Sequence, residues 1–174
     1  HLCETAAAAA ELVRDVHRPD LLLLGAWLHD IGKGRPGDHT EVGMELIGRV
    51  AERMGFDPSD VAVLVDLVRD HLRLADTATR RDMAAPATVT TVAARVGTVE
   101  QLELLAALTR ADSMATGPAA WSPWKEGLLD ELVARVRACL AGRRWDRPDG
   151  LPTAEHRRLM AEGRLRILPV AQRL

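Results

Sequence analysis

The stretch WLHDIGKGRPGDHT, residues 27–40, places His29 and Asp30 side by side at the end of an apolar run. Lys33 follows one helical turn later, and His39 comes just after a break rich in glycine and proline. Imidazole nitrogen and carboxylate oxygen together suit borderline or hard divalent cations, and a nearby lysine offers a point charge to an anion. The stretch therefore indicates metal-assisted phosphate chemistry.

The composition favours a single helical domain with a core of its own. The chain has 174 residues, 47% of them hydrophobic, with one Phe and no Tyr, so Ala, Leu and Val must fill the interior. A net charge of −2 without a dense basic run argues against a nucleic-acid surface. The apolar run at 21–24 is far too short to span a membrane. Two cysteines without metal-finger or disulfide spacing predict a reduced, cytoplasmic setting.

Capping signals mark the starts of several helices. Pro19 suits the first turn of a helix that is apolar nearly all round and therefore central. Asp38 and Glu41 form a capping-box-like pair at the start of the next helix. Thr98 and Gln101 suggest another capped start. These signals predict a chain of successive helices.

Two segments are less regular. Residues 75–85 are polar and short of pattern, which predicts a connector with at most a brief helix. Residues 86–96 are rich in Thr and Val and could form a strand. We interpret them as a short helix because no partner strand is found elsewhere in the sequence. The predicted fold class is all-α.

Further polar residues fall on helix faces that point toward the interior. His71 lies four residues after Leu67, and Asp112 lies four residues after Leu108, so each extends an apolar stripe. A buried, ionised aspartate is costly unless it is paired or binds a metal. Separate helices can therefore direct one set of side chains at one point: His1, His29, Asp30, His39, His71 and Asp112.

A purely structural interpretation stays open for each of these residues. A single buried histidine commonly hydrogen-bonds within a core, and Asp112 could pair with Arg110 or Arg80. We favour one shared site because the alternative needs a separate explanation for every member of the set. The remaining histidines, His17 and His156, are interpreted as structural or solvated.

The set of polar residues also resembles a known signature. His1, His29-Asp30 and Asp112 follow the H…HD…D pattern of the HD phosphohydrolase superfamily, an all-helical bundle with a buried metal site. The blocks LHDIGKGRPGDHTEVG, VRDHLRLADTATRRDM and LTRADSMATGPAAWSPWK resemble the HD domain of the GlnD family of bifunctional PII uridylyltransferase and uridylyl-removing enzymes. The TATRRD and TGPAAWSPWK segments are more specific to that family than the HD pair itself.

The resemblance implies a role for each matching residue. His1, His29, Asp30 and Asp112 would bind one divalent ion. His39 and His71 would bind a second, with Asp30 as the bridge. Lys33 would contact the phosphoryl oxygens, which makes Lys33 and Asp30 the candidate catalytic residues. Manganese or magnesium is expected, and iron or zinc suits such ligands as well.

The resemblance also implies an activity and a partner. The expected reaction is hydrolysis of the nucleotidyl-tyrosine bond on the PII signalling protein, which releases UMP, or AMP in some relatives. Neither a nucleic acid nor a membrane is an expected partner. Two alternatives remain: an HD phosphohydrolase that acts on a small nucleotide, and a helical regulatory domain without catalysis.

The resemblance covers most of residues 1–141, the predicted HD domain. Residues 142–174 would form a linker and a short C-terminal helix that leads toward an ACT domain. The chain starts at His1 without a Met, inside a predicted helix, so we expect it to be a fragment. The nucleotidyltransferase and ACT domains of the family fall outside this chain, so transfer activity and glutamine sensing are not expected of it.

Overall fold

A computed structural model describes residues 1–143, and these contain eight α-helices and one short 3₁₀ helix. In chain order they are α1 (Leu2–Glu11), the 3₁₀ helix (Val13–Asp15), α2 (Pro19–Leu28), α3 (His39–Met54), α4 (Pro58–Asp70), α5 (Arg73–Arg80), α6 (Pro86–Val96), α7 (Val99–Thr116) and α8 (Pro123–Leu140). The all-α prediction is confirmed. The predicted linker and terminal helix of 142–174 lie outside the described residues from position 144 onward.

Helix α2 lies at the centre of the bundle, against α1, α4 and α7. Its Leu21 and Leu22 are almost fully buried, as are Leu64 of α4 and Leu108 of α7. Helix α3 packs on α4, while α5, α6 and α7 contact α8. Burial of each leucine is worth about 1.5–3 kcal/mol, so these apolar faces fix the relative positions of the helices that end at the site.

The predicted caps of α3 and α7 are present. Asp38 Oδ1 accepts hydrogen bonds from the backbone N–H groups of Thr40 and Glu41, at 2.8 and 3.1 Å. Thr98 Oγ1 accepts one from the N–H of Gln101, at 3.1 Å. Each cap satisfies donors that the first helical turn leaves without partners. Residues 86–96 form helix α6, as predicted.

The connector predicted over 75–85 contains the brief helix that the sequence allowed, and this helix begins two residues earlier. Helix α5 covers Arg73–Arg80, eight residues with Leu74 and Ala78 buried at a spacing of four. Two small apolar contacts are enough to hold so short a helix against the bundle once neighbouring helices supply the opposite surface. The polar side chains that obscured the helical pattern, among them Arg73 and Arg80, belong to its exposed side.

A buried carboxylate at the end of α4 joins this helix to α5 and α6. Asp70 is 5% exposed and lies at the end of α4. It accepts hydrogen bonds from Nε of Arg73 on α5, at 2.7 Å, and from Nε of Arg95 on α6, with a nearest approach of 2.9 Å. Arg69 Nε lies 3.5 Å away. Asp70 therefore fixes the helix end that carries His71.

Replacing this carboxylate should destabilise the fold. We expect Asp70→Asn to lower the free energy of unfolding by about 1–3 kcal/mol, because the guanidinium groups of Arg73 and Arg95 lose their shared anion. Asp66→Asn is the matched control, since Asp66 is 38% exposed and, within residues 1–143, forms an ion pair with Arg69 alone. Its effect should stay within about 0.5 kcal/mol. Urea unfolding of both variants measures the difference, and equal losses would contradict the special role of Asp70.

Candidate metal centre

Five elements of the chain each bring a polar side chain to one place. His1 precedes α1, and His29 with Asp30 follows directly after the last residue of α2. His39 is the first residue of α3, and His71 follows the end of α4. The last contributor, Asp112, lies in the final part of α7. Helix ends converge here because α2 is central and its neighbours pack around it.

One half of the cluster combines two histidines with Asp112. His1 Nε2 lies 2.9 Å from Asp112 Oδ1, and His29 Nε2 lies 3.3 Å from the same oxygen. One nitrogen or oxygen from each of these three residues lies within 4.8 Å of the others, which is close enough for a shared cation. His29 is buried, whereas the His1 side chain is 36% exposed and opens this half to solvent.

The other half contains Asp30, His39 and His71, whose potential ligand atoms also lie within 4.8 Å of one another. Asp30 Oδ1 is 3.7 Å from His71 Nε2, and the ring centroids of His39 and His71 are 6.4 Å apart. The second oxygen of Asp30, Oδ2, turns toward the first half and lies 3.3 Å from His29 Nε2. Asp30 thus touches both halves.

Backbone carbonyls determine which nitrogen of two histidines faces the cluster. His29 Nδ1 donates to the carbonyl oxygen of Ala26 at 2.9 Å, and His71 Nδ1 donates to that of Val68 at 2.6 Å. In the neutral ring the proton therefore sits on Nδ1, and the Nε2 lone pair points at the carboxylates. Metal-binding histidines use this arrangement, in which the second nitrogen is held by a carbonyl.

Two buried polar atoms at this point have no hydrogen-bond partner among the described residues: His29 Nε2 and Asp30 Oδ1. An unpaired buried acceptor is costly, and a lone pair that faces a carboxylate oxygen adds repulsion. A divalent cation would satisfy both atoms. The side chains present therefore fit metal binding, as their donor chemistry does, although the individual ligand roles stay predictions.

Without an ion, protons must relieve part of this repulsion. Burial lowers the pKa of His29, but contacts with Asp112 and Asp30 outweigh it and raise the pKa to about 9. Burial opposes ionisation of Asp30, yet His29 and Lys33 hold its pKa below the usual range. At His71 burial dominates and lowers the pKa, so this ring stays neutral with a free lone pair.

Lys33 lies at the rim of the cluster. A tight turn, in which Lys33 N–H donates to the Asp30 carbonyl at 2.9 Å, brings the lysine back over that residue. Its Nζ is 2.5 Å from Asp30 Oδ2, and the side chain is 61% exposed. An open depression of about 610 Å³ lies in front of this pair and is also lined by His1 and Thr116. The predicted contact of Lys33 with phosphoryl oxygens remains a prediction.

The structural alternative for Asp112 does not match the described contacts. Arg110 pairs with Glu126 and Asp130, each at 2.7 Å. Arg80 approaches Asp76, at 3.6 Å. Asp112 instead meets the two histidines of its half of the cluster.

Sequence reasoning missed two supporting features of the centre. Asp70 stands directly before His71 and anchors it, although an aspartate within the apolar stripe of α4 was a visible signal. Gly32 was interpreted only as part of the glycine- and proline-rich break before His39. In the structure a Cβ at Gly32 would lie 1.9 Å from the His39 carbonyl oxygen and 2.7 Å from the backbone nitrogen of Gly43. The turn after Asp30 thus packs directly on the first turns of α3.

The family model described as the HD domain matches residues 1–117, which include every side chain of the cluster. The chain belongs to the HD domain family. Members of this family bind divalent metals, and this HD domain contains two groups of histidine and aspartate side chains that could hold one.

Several relatives carry the name bifunctional uridylyltransferase/uridylyl-removing enzyme. That of Streptomyces coelicolor is 57% identical over 163 residues, which cover 93% of this chain and 20% of the relative. That of Mycobacterium tuberculosis is 52% identical over 157 residues, or 90% of this chain and 19% of the relative. That of Bordetella pertussis is 40% identical over 134 residues, which cover 77% of this chain and 16% of the relative. The chain thus spans about a fifth of the length of the first two relatives.

These likenesses confirm the predicted resemblance to the GlnD family, and they support a hydrolase. Among the described residues, none of the helices combines the length and the apolar character that a membrane crossing requires.

Proposed function

We propose that this HD domain hydrolyses the phosphodiester between a nucleoside monophosphate and a tyrosine of the PII signalling protein, in the cytoplasm. UMP is the expected product, or AMP if the partner is adenylylated. The names of the relatives support the uridylyl-removing reaction, and the two adjacent ligand groups support the metal dependence. The predicted pair of ions is manganese or magnesium.

The observation that carries the proposal is the position of Asp30. Its two oxygens turn toward different ligand groups, and the oxygen on the side of His71 is buried without a hydrogen-bond partner among the described residues. A structural carboxylate would instead be paired on both oxygens. When bound, two divalent ions would supply an activated water at neutral pH and relieve charge on the phosphoryl oxygens.

The chain's own groups would orient and neutralise the substrate. The Lys33 amino group, exposed at the rim, would donate to a phosphoryl oxygen that enters the depression in front of Asp30. A second cavity of about 290 Å³ adjoins Asp112 and is lined by Ser113, Trp121 and Lys125. Its hydroxyl, aromatic and cationic groups suit the nucleoside part of the substrate.

The leaving group reduces the demand for acid catalysis. A tyrosine phenolate has a reference pKa of about 10 and departs more readily than an alkoxide. Asp38 is engaged by the backbone of α3, so it offers no free acid to the site. A protein tyrosine ester is therefore better matched to these residues than an alkyl phosphodiester.

The test compares substrates for the purified chain with manganese. We expect release of UMP from uridylylated PII, loss of release on chelation, and its return when manganese is added back. Free nucleotides and cyclic dinucleotides are the comparison substrates, since their preferential hydrolysis would favour the small-nucleotide alternative. An absence of bound metal, with no rise in melting temperature on adding manganese, would favour a regulatory domain without catalysis.

A further inference from the structure

A groove rich in arginine runs along the side of α5 that faces α6. It has a volume of about 650 Å³ and is lined by three residues of the TATRRD motif, Thr77, Arg80 and Arg81, which the proposed metal chemistry does not use. We call it the arginine groove and define it by its charged and hydroxyl-bearing lining residues: Arg69, Arg73, Asp76, Thr77, Arg80, Arg81, Thr88 and Thr91. Four arginines against one aspartate give this lining an excess of positive charge, although the whole chain has a net charge of −2.

Two of these arginines are held in place by ion pairs with aspartates of α4. Arg73 donates through Nε to the buried Asp70, and its two terminal nitrogens make no hydrogen bond within the described part of the chain. Arg69 is fixed by Asp66. Side chains that are already ordered lose less entropy when they bind an anion, and the planar fork of arginine fits a carboxylate in a bidentate manner.

The other two arginines have weak attachments within the fold. Arg80 is 76% exposed and reaches Asp76 only at 3.6 Å. Arg81 is exposed and makes no ion pair with a described residue. Charged groups that are neither buried nor paired add little to stability, so a partner outside this domain is the simpler explanation for their clustering.

The arginine groove adjoins the cavity beside Asp112. Asp76 and Arg80 line both this groove and the cavity that contains Asp112. An extended segment could therefore pass from the cavity over α5 and into the groove. Among the described residues that line the groove, none is aromatic, so a nucleobase would find no ring on which to stack.

We propose that the arginine groove binds an acidic segment of the nucleotidylated protein substrate, close in sequence to the modified residue. This inference rests on the proposed function, because it requires a protein substrate whose phosphodiester occupies the metal centre. Carboxylates of the segment pair with Arg73, Arg80 and Arg81, and this interaction selects nucleotidylated protein over small nucleotidyl esters.

The test reverses charge at the two weakly attached arginines. The double variant Arg80→Glu/Arg81→Glu is compared with Arg49→Glu/Arg53→Glu, which makes the same change of charge on the exposed side of α3. Each is assayed with the nucleotidylated protein and with the p-nitrophenyl ester of UMP. The readout is the ratio of kcat/KM for the protein to kcat/KM for the ester.

The groove variant should lower this ratio by about tenfold, mainly through KM for the protein. The α3 variant should leave it within about twofold of wild type. Added salt should raise KM of the wild type for the protein and should have less effect on the groove variant. Equal ratios in the two variants would overturn the proposed binding of an acidic segment in the groove. A wild type that is active on the ester but not on the protein would overturn the proposed function instead.

Discussion

Asp30→Asn is expected to lower kcat/KM for uridylylated PII by about 1,000-fold or more. The carboxylate touches both ligand groups, and its replacement by a neutral amide removes the charge that would hold two cations together. Charge stabilisation by such ions is worth several kcal/mol, and each 1.36 kcal/mol is tenfold in rate. Steady-state release of UMP at saturating manganese measures the effect.

The matching metal measurement separates loss of the site from loss of the fold. Wild type at a manganese concentration of about 100 times Kd should gain about 2.7 kcal/mol of stability, and Asp30→Asn should lose most of that gain. Asp38→Asn is the control, since asparagine also caps a helix and Asp38 turns its oxygen to the backbone of α3. Comparable metal binding and turnover in Asp30→Asn and wild type would refute the assignment of Asp30.

Gly32→Ala should damage the site without replacing any proposed ligand. The added Cβ would overlap the His39 carbonyl oxygen and the Gly43 backbone nitrogen, so the turn and the start of α3 must move apart. Overpacking of this kind costs about 3 kcal/mol, or a fall in melting temperature of roughly 6–12 °C for a domain of this size. A displacement of about 1 Å at His39 would lower kcat by about 100-fold.

Gly127→Ala makes the same chemical change at a place with open space. Gly127 lies within α8, and a Cβ there would meet no atom within 4 Å. Alanine should raise stability by about 0.5–1 kcal/mol, because glycine is the poorer helix former. Calorimetry and UMP release on both variants complete the test. Unchanged activity in Gly32→Ala would show that the contact between the turn and α3 does not position His39.

Local signals predicted much of the fold correctly. Asp38 and Thr98 mark helix starts because a cap depends only on residues within one turn, which the sequence contains in full. The spacing of His71 and Asp112 from apolar residues likewise predicted which helix faces would meet. The sequence allowed a brief helix within 75–85, but the bounds of α5 could not be predicted because its polar surface hides the pair Leu74 and Ala78, whose burial depends on the neighbouring helices.

The details of the site depended on contacts between distant elements. Nothing near His29 in sequence indicates that Asp112 lies 3.3 Å from it, since that distance follows from the packing of α2 on α7. The ion pair between Asp70 and Arg95 also depends on tertiary packing, because it joins α4 to α6. Composition and periodicity predict that such residues turn inward, whereas three-dimensional packing decides which partner each one meets.

The contact between His1 and Asp112 spans 111 positions of the chain. Closing so long a loop costs entropy, so this contact can form only after the intervening helices have been made and packed. During synthesis on the ribosome, the nascent domain therefore has no complete set of donors for a cation until α7 has emerged. Under the proposed function, a chain that stops before α7 should therefore be inert toward phosphodiesters.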